Sequence, residues 1–511
     1  MTRWTLRWTW AGESGTSPVD PQWTETAELT GVAPVRTASL TLHPLGVDVL
    51  QVAAGPAARV PGAGSLYRGD VEVLSGTWRD VSYSHGSIQL TIGEQEDEPD
   101  VMWPSPWVAI RHQVAEGVRA SGQGRKWVER AFQVTYRIPT DVWGPVVFGA
   151  PGSDDVPGSP AYMLDPAAQD YGDGLGATWR LIIHRGSRPA ATEVRLWLPS
   201  GQSTDRLELA TAGDGEATAG HYLVRHAVDD QGYPYAYVSV IPPTVALSGG
   251  VAVVTGSLPS PDRPAAVSWT RGGALPGGAG SVLAFLLAQS AREIDLPLWV
   301  AAAEYLDRYD LGGYVDARID PMQLVRSILD YLPVAAVRGP RGLEPRIHPW
   351  AHGSTRRRPV TAGRGFARTG EIREGETPAT SVEVRYGVGP VSPEGAHSYV
   401  LGTTPYALIA EAWGARDVEI RADWVWTEAT AARIASDVIR LHSGGRRLAY
   451  MADPEIYGAG GEHPLGVGDV VALTDVDAYL SAVTCYVARI EESATSMRVE
   501  LVCRDDLLGA P

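Results

Sequence analysis

The stretch from Thr427 to Cys503 constrains the fold of this chain more than any other, because its hydrophobic period changes within a short span. Thr427 is a candidate N-cap, and Ala431, Ile434, Ala435, Val438, Leu441 and His442 recur at the spacing of one helical stripe. Ile434, Val438 and Leu441 are therefore expected to face the barrel of this C-terminal unit, which Thr380 to Tyr386 enters. Arg433, Asp437 and Arg440 lie off the stripe, spaced for ion pairs along an exposed face. Gly444-Gly445 is a helix stop, and Leu465-Gly466-Val467-Gly468-Asp469-Val470-Val471 reads as a tight turn feeding a strand. A long hairpin closes the unit, with arms Val483 to Ile490 and Met497 to Cys503. The two cysteines, Cys485 and Cys503, sit on opposite arms. Two cysteines make no disulfide framework, and two buried thiols in a reducing compartment are the expectation.

This order of helix, turn, strand, long hairpin and chain end resembles the C-terminal barrel of tail hub proteins in tailed phages, the family that includes the central hub of contractile baseplates and its relatives at siphophage tail tips. A second pattern agrees with it. Ser84 to Ile92 has the form Ser-x-x-Ser followed by apolar residues at every second position, and Ser493 to Leu501 repeats the form. Each is followed by an acidic segment, Glu94 to Glu98 and Arg504 to Asp506. The resemblance implies two related barrels at opposite ends of the sequence, the device by which such hubs let a trimer imitate sixfold symmetry.

Between these ends the period is mixed. Trp4, Leu6, Trp8 and Trp10 share one face of an opening strand, and the runs Leu40 to Leu50 and Leu66 to Val73 continue the β pattern. Phe132 to Tyr136, Trp179 to Ile183 and Val194 to Leu198 alternate in a β-rich block separated by Pro/Gly/Asp loops. From Ser281 the period is helical. Ser281 is placed to cap Val282 to Glu293, a second helix follows Pro297 and runs toward Gly312-Gly313, and a third has Asp320 as N-cap and Pro321 at its start. Met322, Val325, Ile328, Leu329 and Leu332 form the stripe of that third helix, with a stop at Pro333 and a hairpin around Arg338 to Gly342. This succession resembles the small helical domain between the two barrels of tail hubs. Residues 351–372 are Arg- and Gly-rich and read as a linker.

The expected fold class is mainly β with a small α/β part, an α+β multidomain chain whose two similar β-barrels flank an inserted β-rich domain and a small helical domain. At 511 residues the chain exceeds one core. The expected domains are an N-terminal β-barrel at 1–125, an inserted β-rich domain at 126–246, a helical domain and linker at 247–372, and a C-terminal β-barrel with one helix at 373–511.

Composition excludes several function classes. A formal charge of −17 opposes a stable nucleic-acid-binding surface, although an acidic lumen lets DNA slide through without sticking. Apolar runs such as Val282 to Ala288 are too short to insert in a membrane, and Met1-Thr2-Arg3-Trp4 carries no signal core, which predicts synthesis in the cytosol. Lys126 is the single lysine, and no P-loop surrounds it. His221 and His226 fall on opposite faces of a strand, and Pro349 argues against a helix that would align His348 with His352. Asp170 to Gly174 lacks the ligand pattern of a calcium loop, and Arg68-Gly69-Asp70 lies within a strand pattern. Catalytic, cofactor-binding and metal-binding residues are expected to be none, and no cofactor and no enzyme activity is expected.

The resemblance implies a structural virion protein, a hub subunit joining the phage tail tube to the tail tip or baseplate. Its implied partners are two further copies in a homotrimer, distal tail or tail-tube proteins, the tape-measure protein, and tip or fibre proteins. The implied location is the virion tail tip after assembly in the host cytoplasm. Two other readings stand beside it: a carbohydrate-binding or carbohydrate-active β protein using the Trp-rich faces, and a spike or hub component of a phage-tail-like secretion or gene-transfer particle.

Overall fold

In the computed structural model the described residues are 4–10, 13–22, 24–28, 37–42, 62–78, 81–84, 87–93, 103–104, 144–165, 179–186, 193–199, 206–211, 221–228, 234–240, 244–248, 251–254, 265–271, 275–290, 292–339, 341–352, 357–363, 365–372, 379–402, 416–441, 446–458, 461–493 and 495–503. Across them the chain is mainly β with a small helical part.

The chain opens with β1 (Trp4–Trp10), β2 (Glu13–Gln22), β3 (Thr24–Glu28), β4 (Thr37–Leu42), β5 (Gly62–Arg68), β6 (Val71–Trp78), β7 (Val81–Ser84) and β8 (Ser87–Gly93). Seven of these form one sheet in the order β4-β2-β1-β5-β6-β8-β7, and pairing of β4 with β8 closes six of them into a ring. Alternation explains the ring's filling. Leu6, Trp8 and Trp10 point inward beside Leu66, Trp78 and Ile88, while Arg7 and Thr9 face outward.

The short β9 (Val146–Phe148) precedes β10 (Ser159–Asp165), β11 (Trp179–Arg185), β12 (Glu193–Pro199), β13 (Arg206–Thr211), β14 (His221–Val228) and β15 (Pro234–Val240). After the hairpin β16 (Thr244–Ser248) and β17 (Val251–Val254) comes β18 (Ala265–Arg271). A closed barrel runs β10-β11-β15-β14-β13-β12-β18. It extends past residue 246, where the sequence reading ends the block, because Ala265, Val267 and Trp269 of β18 enter its core.

The helical part holds α1 (Ala279–Ala288), α2 (Leu296–Leu306), β19 (Gly313–Val315), α3 (Pro321–Leu329), β20 (Val334–Gly339), β21 (Gly342–Ile347) and the single-turn α4 (Pro349–His352). In α3 the expected signals operate: the Asp320 carboxylate accepts from Met322 N–H at 2.9 Å, and Met322, Val325, Ile328 and Leu329 are buried. In α1 they do not. Gly278 takes the cap position, and Ser281 lies inside the first turn with its hydroxyl donating to Asp307 at 2.6 Å. The helix ends at Ala288, short of Glu293. Glycine is required at Gly280, where a Cβ would stand 2.4 Å from Ala303 Cα of α2. Proline does start α4 rather than prevent it, and His348 caps that turn by accepting from Trp350 N–H at 3.2 Å.

Two strands occupy the expected linker: β22 (Arg358–Thr361) and β23 (Phe366–Ile372). Val360 and Phe366 carry them into a core that the surrounding Arg/Gly composition conceals. Next come β24 (Ser381–Tyr386), β25 (His397–Gly402) and β26 (Asp417–Arg421), then α5 (Glu428–Leu441), β27 (Arg446–Ala452), α6 (Pro454–Tyr457), β28 (Val470–Asp475), β29 (Leu480–Ser493) and β30 (Met497–Cys503). The last sheet runs β22-β28-β29-β30-β27-β23, an open path among the described residues.

The α5 stripe does not face this sheet. Ile434, Ala435 and Val438 share one core with Val382 and Val384 of β24 and with Leu283 and Val325 of the helical part. Asp437, expected on the exposed face, is buried. Cys485 and Cys503 lie directly opposite each other in the β29–β30 ladder with Cα atoms 4.0 Å apart. They are joined as a disulfide, which replaces the expected pair of free thiols, although both are buried as expected.

Both Ser-x-x-Ser stretches join strands that pair with each other. Ser84 pairs with Ser87, and Ser493 N–H donates to Ser496 O at 2.8 Å. Ile88, Leu90 and Ile92 after the first, and Met497, Val499 and Leu501 after the second, are buried in alternation. One strand ties the chain's two ends together: β3 leaves the first sheet and pairs antiparallel with the end of β29, from Glu28 opposite Arg489 to Thr24 opposite Ser493.

Candidate functional site: the seam and the exposed tip

The seam between the first and last sheets is held by more than β3. Arg68 ends β5 and its side chain turns inward, Nη1 lying 3.4 Å from Glu492 Oε1 on β29. The two-residue turn that follows uses Gly69 at φ 63°, so Arg68-Gly69-Asp70 straddles a strand end and a hairpin turn rather than lying within one strand. With Arg68 buried, the triplet presents no adhesion motif. Gly458, after α6, lets backbone approach the pair. A Cβ there would meet Glu492 Oε1 at 2.4 Å and Arg68 Nη1 at 2.8 Å.

A second polar junction joins the turn after α2 to α5. The Tyr309 hydroxyl donates to the Asp437 carboxylate, and Arg308 Nη2 lies 3.4 Å from the same oxygen. Burial first, and the adjoining carboxylate second, push the Tyr309 phenol well above its ordinary range. It stays protonated and acts as a fixed donor. In the middle barrel, His184 is fully buried, and its Nδ1 accepts from Val147 N–H at 3.1 Å. Burial lowers its pKa to about 3, with His226 adding a smaller push in the same direction. Both groups are locked in one protonation state at neutral pH, which suits structural links rather than proton transfer.

The tryptophan row is not a sugar platform: Trp8 and Trp10 are buried, Trp4 is half-buried, and Trp8 Nε1 donates to Ser17 Oγ at 3.1 Å. A cavity of about 270 Å³ lies where the barrel, the helical part and the start of α5 meet, lined in part by Gly152, Asp154, Trp269, Asp310 and Trp426. Its two indoles bond internally, Trp269 to Ser159 Oγ and Trp426 to Gly312 O, each at 3.0 Å, and their rings are buried. Burial raises the Asp310 carboxyl, while Asp154 pairs with Arg195 at 3.0 Å. Among the described residues no group of three or more His, Cys, Asp or Glu is placed to hold a metal ion. Glu94 to Asp100, Lys126, Asp170 to Gly174, Arg356, Gly444-Gly445 and Arg504 to Asp506 lie outside the described residues.

One exposed feature escaped the sequence reading. Between β28 and β29 a single 3-10 turn (Val476–Ala478) projects from the last sheet. Buried Asp475 clamps it: one carboxylate oxygen accepts from Asp477 N–H at 3.0 Å and Ala478 N–H at 3.2 Å, and the other accepts from Tyr450 O–H at 2.8 Å. Tyr479 at φ 58° and Ala482 at φ 54° are the non-glycine residues in the left-handed region among those described. The clamp leaves Val476 80% and Tyr479 96% exposed.

No protein-family model matches the sequence, and no curated protein sequence does. Among solved structures, the chain is similar to the 43 kDa tail protein of prophage MuSo2 from Shewanella oneidensis, with 9% identity, 99% of each chain covered and a TM-score of 0.40. It is similar to the tail protein from Neisseria meningitidis MC58, with 8% identity, 99% of this chain and 98% of that one covered, and a TM-score of 0.39. The chain is similar over its length to phage tail proteins. A third tail protein, prophage gp18 from Listeria monocytogenes EGD-e, is 10% identical over 62% of this chain and 90% of its own, with a TM-score of 0.22.

Proposed function

We propose that this chain is a structural subunit of a phage tail or phage-tail-like particle, a hub that joins the tail tube to the tip or baseplate by assembly rather than catalysis. The observation that carries the reading is the pair of β bodies at the two chain ends. Each has a Ser-x-x-Ser hairpin, and β3 and the Arg68–Glu492 pair fasten one to the other. The last of them follows the order of helix, Leu465–Val471 turn, strand and long hairpin that resembles tail hubs. A joint between two rings of neighbours needs two such bodies that do not slide past each other.

In this reading the subunit forms a homotrimer within the four-part domain plan. It meets tail-tube or distal tail proteins on one side and tip or fibre proteins on the other, alongside the tape-measure protein. It is assembled in the host cytoplasm and resides at the tail tip. The test is immunogold labelling of particles with antibody to this chain, together with light scattering of the purified protein. Gold confined to one tail end and a trimeric mass are expected. Label along the tube, or none on any particle, overturns the hub.

A further inference from the structure

We propose that Cys485 and Cys503 form a one-way redox latch on the last sheet. The folded dithiol is open to oxidation at the end of β30, and the folded disulfide is closed to reduction.

The latch follows from where the pair sits in its ladder. Cys485 opposite Cys503 is the terminal row of the β29–β30 pairing, and Cys503 opposite Arg446 is the terminal row of the β27–β30 pairing. Cys503 thus ends its strand in the last row on both sides. Cys485 is held differently. It lies within β29, and β28 pins it from the other side, with Val470 opposite Tyr486, Val471 opposite Cys485 and Ala472 opposite Thr484. Strand ends open locally at far lower cost than strand interiors. Cys503 is therefore the member of the pair that leaves the sheet first.

Register puts both sulfurs on the inner face. Val471, Cys485 and Cys503 stand opposite one another on adjacent strands, and all are buried in one core with Val487 and Leu501. A small thiol or disulfide reaches neither sulfur while that row is closed. At the far end of the same hairpin, the bond from Ser493 N–H to Ser496 O already holds the two strands together. The disulfide fastens the one end of the ladder that the turn leaves free.

The oxidant is a low-molecular-weight disulfide. With the end of β30 open, the Cys503 thiolate attacks one sulfur of the oxidant and releases the other half as a thiol. When β30 pairs again, Cys485 attacks Cys503 Sγ in the mixed disulfide and releases the second half. The two cysteines lose two electrons and two protons, and the oxidant takes them up to leave as two thiol molecules. The reverse reaction meets a different barrier. The bond ties the terminal row, so β30 no longer opens from that end, and a reductant must wait for the core of the sheet to come apart. A reducing compartment, expected from the sequence, keeps the dithiol; an oxidising one drives the latch shut.

The experiment uses the full chain, purified once with its thiols free and once as the disulfide. The dithiol is exposed to glutathione disulfide, and the disulfide to tris(carboxyethyl)phosphine, each under native conditions and in urea. Alkylation with N-ethylmaleimide and peptide mass spectrometry follow each cysteine with time, and amide exchange verifies that both forms are folded. Relative to urea, the native fold should slow reduction about a hundredfold more than it slows oxidation. The first adduct should be glutathione on Cys503. That adduct should accumulate in Cys485→Ser, whereas in Cys503→Ser the remaining Cys485 should stay unmodified. Where a serine variant does not fold, the order of adducts in the wild type decides. Equal slowing of the two reactions, a first adduct on Cys485, or a dithiol chain whose last sheet has lost amide protection overturns the latch.

Discussion

Arg68 and Glu492 are 424 positions apart in sequence, yet Arg68 Nη1 lies 3.4 Å from Glu492 Oε1, and both side chains are largely withdrawn from water. The contact is possible because β3 has already brought the end of β29 alongside the first sheet. Removing one member leaves the other charge buried without its partner, which typically costs ~3–5 kcal/mol. Arg68→Ala and Glu492→Ala should each lower the denaturant midpoint by that order. The double variant Arg68→Leu/Glu492→Leu should cost much less than the sum. A single substitution costing ~1 kcal/mol or less would place the pair in the class of exposed ion pairs.

A second prediction concerns the α2–α5 junction. Asp437→Ala strands the buried Tyr309 hydroxyl and should cost about 1–3 kcal/mol. Val438→Asp places a charge in the core shared with β24 and the helices, and should melt that region while the last sheet keeps its amide protection. Arg440, half-exposed, should tolerate Ala within about 0.5 kcal/mol. Hydrogen exchange resolved by peptide separates these outcomes. Joint loss of the last sheet with Val438→Asp would return α5 to that sheet.

The helix itself was legible in the sequence, from Ala431, Ile434, Ala435 and Val438, because periodicity reports which face is apolar. It does not report what that face meets. Most of the last sheet follows α5 directly in the chain, but β24 precedes it and takes the stripe. Asp437 was misplaced for a related reason: a carboxylate reads as solvent-exposed until a donor such as Tyr309, 128 positions away, is known to reach it. The inward face of β1 and the cap of α3 were legible because both are set by neighbours within a few residues. Val360 and Phe366 were not, since two apolar residues among arginines and glycines leave too faint a pattern to mark a strand. Nor was the tip, because nothing local in Tyr479 announces a left-handed backbone.

The Trp8 side chain provides a third test. It is 5% exposed, with its indole N–H held by Ser17 and Gly15 packed against the ring. Trp8→Ala should cost ~3–5 kcal/mol, lower the melting temperature and remove no glycan affinity. Acrylamide should quench Trp8 poorly in the native chain. A folded Trp8→Ala protein that has lost affinity for a defined polysaccharide would restore the carbohydrate reading.

The fourth prediction is a pH dependence. The His184 pKa falls from an ordinary 6.5 to about 3 in the folded chain, so the unfolded chain takes up the proton first. The stability this group contributes is complete above pH 6.5 and falls as pH drops from 6.5 toward 3, with a limiting slope of about 1.4 kcal/mol per pH unit. His184→Asn retains an acceptor for Val147 N–H but does not titrate. Its stability should decline less steeply than the wild type's through that window, by up to one proton. Identical slopes would show that His184 titrates normally.

The strand that β3 lends to β29 also imposes an order on synthesis. Residues 24–28 leave the ribosome long before the segment they pair with, 489–493. Domains generally fold as units during translation, N-terminal first, so β3 must wait beside a first sheet already able to form, its edge open until residues 489–493 have been made. Closing a loop of that length costs little more than closing one half as long. The burden falls on time rather than on equilibrium, and an unpaired edge held through that interval is a natural point of attachment for a chaperone or a neighbouring nascent chain.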